Sequence, residues 1–96
     1  HYIGAILGQT GYIRDRHAEF HQKHVERAAI IREIDLASTD IATTFEIISG
    51  KDLSDKYPLE VFGHPMTVEY FLIHLQGHLN YHLGQINYHR RLLSHP

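Results

Sequence analysis

The chain of 96 residues contains no cysteine. That excludes disulfides and thiolate ligands, so any bound metal must be held by nitrogen and oxygen, and it fits a cytoplasmic setting. An excess of charge is missing too. A net charge of -2 and a pI near 6.6 leave no electrostatic footprint for nucleic acid or for an anionic membrane, and neither is expected as a partner. No apolar run approaches the roughly 20 residues of a membrane span, and no signal-peptide pattern is visible. There is no Gly-x-Ser-x-Gly and no phosphate-cradling glycine loop, so no nucleophile signature stands out. The first residue is not Met, and the chain starts inside what reads as an apolar element (Tyr2, Ile3, Ala5, Ile6, Leu7). Upstream residues are therefore expected.

What is present is enough for one small domain. A hydrophobic fraction of 43% can build a core, which excludes a disordered chain. Ten histidines make the net charge sensitive to pH just below neutrality.

Helical periods dominate the chain. Residues 1–10 read as the end of a helix, weakened by Gly4 and stopped by Gly8 to Gly11. Residues 11–24 are a polar connector with room for a short helical turn. Arg14, Asp15 and Arg16 form a charged cluster there, suited to a local salt bridge or a cap. Over residues 25–49, Ile30, Ile34, Ala37, Ile41, Phe45 and Ile48 recur at steps of three or four, the mark of an amphipathic helix. Arg27, Glu33, Asp40 and Glu46 take the other faces and should be solvated. Gly50 is a natural stop. Pro58 and Pro65 argue against helix in 51–66, where a short extended segment around 57–64 is expected. Thr67 is a good N-cap, with Glu69 in the first turn. The last helix then spans about 68–93, with Leu72, Leu75, Leu79, Leu83, Ile86 and Leu93 as its core stripe. Gly77 and Gly84, seven apart, suggest either the close approach of another helix or tolerated glycines. The fold class is all-α, with two long helices and part of a third.

A second stripe on the last helix carries the chemistry: His74, His78, Tyr81, His82, Gln85 and His89. Four residues turn a helix by about 400°, so His74, His78 and His82 project from one face. An imidazole pair at i, i+4 is a bidentate grip for a divalent ion, completed by groups from another helix. The bland alternative is an amphipathic flank hydrogen-bonded to its neighbours. Spacing does not say which pair binds. His17, His21 and His24 are also three or four apart, but they lie in the polar connector, where a solvated segment is the simpler reading. His64 precedes a proline in a turn and is assigned a structural role. His95 lies near the C-terminal end.

The run His78-Leu79-Asn80-Tyr81-His82-Leu83-Gly84-Gln85-Ile86 resembles the signature of the DinB/YfiT-like family, in which a His-x-x-x-His pair followed by x-Gly-Gln lies on a late helix of a four-helix bundle. The flanking VFGHPMTVEYFLIHL and NYHRRLL, and GYIRDRHAEF earlier, extend the resemblance over about residues 1–93. It implies an antiparallel up-down bundle, a single domain over 1–96 lacking its first helix and part of its second, and a homodimer. It implies a divalent ion, nickel or zinc, held by three histidines, two of which match His78 and His82. The third would come from the second helix, at or before His1. His74, Tyr81, Gln85 and His89 then become neighbours of the site that orient ligands or substrate, and no catalytic residue is assigned.

The expected function is that of a metal-dependent thiol transferase or hydrolase acting on a small molecule, with a low-molecular-weight thiol as a candidate partner. The alternatives are a non-catalytic metal-binding or stress-response bundle, and a metal-free oligomerising helical module. Neutral imidazole is the ligand form, so metal affinity should fall with pH around the ordinary imidazole value of ~6.5.

Overall fold

The structure, a computed structural model, describes residues 1–94, and His95 lies outside them. It is mostly helical, with no strand among the described residues. The chain divides into two compact units, His1–Ser49 and Gly50 onward.

The first unit opens with a π-helical segment, Tyr2–Leu7, followed by α1, Arg16–His21, and α2, Arg27–Ile47. The wide turn of the opening segment is made by i+5 bonds, Ile6 N–H to His1 O at 3.2 Å and Gly8 N–H to Ile3 O at 3.0 Å. The expected helix end is present here as a π-helix. Its glycines serve a purpose besides termination. A Cβ on Gly8 would collide with Thr44 Oγ1, and one on Gly4 would stand 3.2 Å from Asp40 Cβ. The two helical segments therefore meet backbone to side chain, as only glycine permits.

Thr44 is fully buried at this contact. Its hydroxyl donates to Asp40 O at 2.8 Å, so the buried polar atom is satisfied. Thr10 Oγ1 donates to Asp40 Oδ2 at 3.3 Å, and Asp40 is half-buried. Asp40 is thus not the solvated residue that its charge suggested. In α2 the buried contact is made by the Asp40–Thr44 side, while Ile30, Ile34 and Phe45 of the apolar stripe are exposed.

The connector contains α1 as expected, capped by Asp15 Oδ1 accepting from Ala18 N–H at 3.0 Å. Such a cap contributes about 1 kcal/mol. α2 ends at Ile47 with Ile48 as its cap. Gly50 does not terminate α2; it starts α3, Gly50–Ser54.

The second unit joins α3 through a connector to α4, Val68–Leu93. Thr67 caps α4, its hydroxyl accepting from Tyr70 N–H at 3.1 Å, and Glu69 sits in the first turn. The expected extended segment around 57–64 is a run of turns instead. Pro58 lacks the N–H that pairing needs, and Gly63 takes φ +82°, where a turn is favoured. Among the described residues, pairing is confined to one antiparallel bridge between Lys56 and Thr67, with Tyr57 N–H donating to Met66 O at 2.8 Å and Val68 N–H to Asp55 O at 2.9 Å.

This clasp holds the unit's small core. Tyr57, Met66, Val68 and Phe71 are buried, with the Tyr57 and Phe71 rings 4.6 Å apart and Phe62 edge-on to Phe71 at 5.7 Å. The core therefore sits on the first turn of α4. Leu72 and Leu75 are half-buried, and every residue from 76 to 94 is exposed. Leu79, Leu83, Ile86 and Leu93, expected as core, are among them. A Cβ at Gly77 or Gly84 would meet no atom of the described residues within 4 Å.

Candidate metal centre

α4 positions the histidine stripe. Its cap and the aromatic core beneath its first turn fix the helix start, and the helical repeat then sets where each imidazole emerges. His78 and His82 are brought together: their Nε2 atoms are 2.9 Å apart, with the rings edge to face at 4.4 Å and 87°. Both are exposed.

The nitrogens are oriented by neighbours one helical turn on. Gln85 Nε2 donates to Tyr81 Oη at 3.3 Å, which fixes the direction of the amide. Its Oε1 faces His82 Nδ1 at 2.8 Å. An amide oxygen only accepts, so this contact places the His82 proton on Nδ1 and leaves the lone pair on Nε2. That is the tautomer a metal ligand needs, and a carbonyl on the far ring nitrogen is the usual way of holding it. Two imidazole lone pairs at 2.9 Å repel unless something positive lies between them. In the metal-free pair His78 Nε2–H supplies a proton there, and a divalent ion would take its place.

The spacing also sets a bite. With metal–nitrogen bonds of ~2.05 Å, nitrogens at the observed separation subtend about 90° at the ion, whereas a tetrahedral angle needs them ~3.3 Å apart. Cis positions of a six-coordinate ion are therefore matched without movement, and a tetrahedral ion after a small opening of the pair.

The other residues of the stripe divide. Tyr81 and Gln85 join the pair, the Tyr81 ring lying 5.6 Å from that of His82. His74 is drawn to the core: its ring meets Phe62 edge-on at 4.7 Å, while its distance to the His78 ring is 6.4 Å. His89 lines a shallow groove of about 510 Å³ with Ile86, Arg90, Leu93 and Ser94, beyond the pair. Among the described residues, no cluster of three or more His, Asp or Glu side chains is arranged to hold a metal. The pair thus offers two nitrogens. The Phe62 contact to His74 was not foreseen; its only sequence signal is the clustering of Phe62, Phe71 and His74 around the start of a helix.

In the first unit His17 and His21 also share a helix. Their rings stack at 4.2 Å and 13°, and His21 Nδ1 lies 3.0 Å from His17 O. The charged cluster beside them behaves as a local ion pair: Arg14 Nε and Nη2 reach Glu19 Oε2 and Oε1 at 3.0 and 3.1 Å. Hydrogen bonding to Arg14 lowers the Glu19 carboxyl below its ordinary range. His64 stays in its turn, Nδ1 facing Pro65 O at 3.1 Å.

No helix of the described residues is long and apolar enough to cross a membrane. Comparison of the chain with protein-family models, with curated proteins and with solved structures finds no match.

Proposed function

We propose that this chain is a divalent-metal-binding helical protein of the DinB/YfiT type, folded as an antiparallel up-down bundle. In this reading it acts in the cytoplasm as a metal-dependent thiol transferase or hydrolase on a small molecule. The observation that carries the reading is the convergence of His78 Nε2 and His82 Nε2 at 2.9 Å, with Gln85 holding the His82 tautomer.

Nickel and zinc are among the ions that suit a nitrogen donor set without thiolate. The near-right-angle bite favours nickel, which accepts cis nitrogens in a six-coordinate shell. When bound, the ion supplies Lewis acidity that makes a coordinated thiol or water more acidic. The protein's own groups do the rest. His78 and His82 hold the ion, and Gln85 keeps the His82 ring turned toward it. Tyr81 Oη, tied to Gln85, presents a hydroxyl at the edge of the pair to a polar group of the substrate. His74, packed on Phe62, walls the side toward the helix start. Exposure of the pair leaves coordination positions accessible to a small thiol.

A second reading, a non-catalytic metal-binding module, is favoured by one observation: the pair lies on an open helix surface, and small-molecule sites are concave. One experiment separates the two. The purified chain, loaded with nickel or zinc, is assayed for transfer of a low-molecular-weight thiol to an electrophilic aromatic substrate, with and without chelator. The enzyme reading expects a rate that chelator abolishes. Metal bound with equal rates in both samples would leave the binding module standing alone.

A further inference from the structure

We propose that the His74 and His78 rings on α4 are the two walls of a binding slot for a flat, uncharged, electron-poor aromatic ring. That the ring belongs to a substrate of the neighbouring site rests on the metal-dependent reading above; the slot itself needs no ion.

Four rings project in succession along one side of α4: Phe71, His74, His78 and His82. They leave three gaps, and the protein treats them differently. Phe71 and His74 are 7° from parallel, with centroids 6.3 Å apart. Phe62, from the connector, stands edge-on against both at 5.7 Å and 4.7 Å, and closes that gap with an aromatic ring. His78 and His82 cross at 87° and close theirs with the Nε2 contact. Between these two gaps, His74 and His78 are 16° from parallel at 6.4 Å, and both are exposed. A flat ring stacked on both needs two carbon–carbon contacts of ~3.5 Å, about 7 Å in all. The observed separation falls short by roughly half an ångström, a small torsional adjustment for two exposed side chains.

Gly77 leaves the slot open at its side. It lies three residues after His74 and directly before His78, and a helical residue leans its side chain over the turn that precedes it. A side chain at 77 would therefore cover the flank of His74. A Cβ there meets no atom of the described residues within 4 Å, so packing against them does not call for glycine, although Gly weakens a helix interior relative to Ala. An open flank is what the slot requires of this position.

The surroundings select the ring. From Tyr70 to His89 the helix carries no Asp, Glu, Lys or Arg, so no opposite charge offsets the desolvation of a charged guest. The faces of aromatic rings are negative. A guest pressed between two of them is favoured when its own face is depleted of electrons, as in a ring bearing nitro or halogen groups. Rings of this kind are also electrophiles, and His78 is shared by the slot and the candidate metal pair.

The test is an NMR titration of the metal-free full chain with meta-dinitrobenzene at about pH 8, where ordinary imidazole is neutral. Stacking should move the ring protons of His74 and His78 upfield together and leave those of His17 and His21 in place. Nitrocyclohexane, which has the polar group without the flat ring, should cause no such shift. Gly77→Leu keeps both imidazoles and favours the helix, and it should weaken binding roughly tenfold or more. His74→Ala removes one wall and should weaken binding roughly tenfold, whereas His74→Phe should retain it. Equal shifts with nitrocyclohexane, or full binding by Gly77→Leu with helicity retained in circular dichroism, would overturn the slot. Neither result would bear on nickel uptake by His78 and His82, because the probe is read without metal. Dinitrobenzene bound in the slot of a chain that takes up no nickel would overturn the metal reading and leave the slot standing.

Discussion

The His17–His21 pair of the first unit and the His78–His82 pair of the second share a four-residue helical spacing, and they do opposite things. His17 and His21 stack with their rings 13° from parallel. Imidazole lone pairs lie in the ring plane, so the nitrogens of stacked rings point side by side and do not converge. One nitrogen of His21 is already turned to a carbonyl of its own helix. His78 and His82 cross at 87°, and their Nε2 atoms face each other. The difference lies outside the spacing. α1 is only six residues long, and the group that turns the His21 ring is the carbonyl of His17 itself. α4 carries Gln85 one turn on, with Tyr81 beneath it, and the amide pulls His82 into the converging rotamer. A helical His-x-x-x-His pattern gives proximity, and a third group decides whether proximity becomes a grip.

The comparison is most directly broken by exchanging which pair is removed. The double variant His78→Ala/His82→Ala should lose nickel binding by three orders of magnitude or more, about 4 kcal/mol, in isothermal titration. His17→Ala/His21→Ala should keep both stoichiometry and affinity. Equal losses would show that the ring geometry does not discriminate. A smaller effect sharpens the role of the third group. Gln85→Ala removes the tautomer lock and leaves both imidazoles, and it should weaken metal affinity roughly 10- to 100-fold. An unchanged affinity would mean that His82 finds its tautomer unaided.

The smallest effect belongs to the first unit. Glu19 is held below the ordinary carboxylate range by Arg14, so its contribution to stability is present above the unfolded-state value and is lost as pH falls through the lower, folded one. Glu19 is exposed and Arg14 half-buried, and a surface pair of this kind contributes little. Arg14→Ala should bring the Glu19 carboxyl back toward its ordinary range in an NMR titration.

What could be read from the sequence followed the locality of each signal. Thr67 announces the start of α4 because a cap bonds to residues two or three positions away, and the structure has it; the Arg14, Asp15 and Arg16 cluster reads only as a salt bridge or a cap, and the structure has both. The span of α4 followed from its cap and an unbroken helical period. The face of α2 that makes a buried contact was not legible. The apolar stripe pointed to Ile34 and Phe45, whereas the contact uses Thr44 and Asp40, because Gly4 and Gly8 let a backbone come close enough to bury a hydroxyl. No polarity pattern encodes such an approach. In the candidate site, spacing puts His74, His78 and His82 on one helix face without saying which pair converges, and only the resemblance singles out His78 and His82. The two-sided role of Gln85 was not legible, since it depends on which way an amide points.

The clasp over the first turn of α4 has a consequence for the rest of that helix. Its anchored end is protected by Tyr57 and Phe71, while the five turns beyond bury no residue among those described, and most helical stability in proteins comes from such packing. An ion held across residues 78 and 82 would link consecutive turns in the middle of the unanchored stretch. Occupancy of the site and helicity of the C-terminal half then become one equilibrium, and amide exchange at residues 83 to 93 would slow in step with ion concentration. The clasp makes α4 a thermometer for its own ligand, calibrated at one end and read at the other.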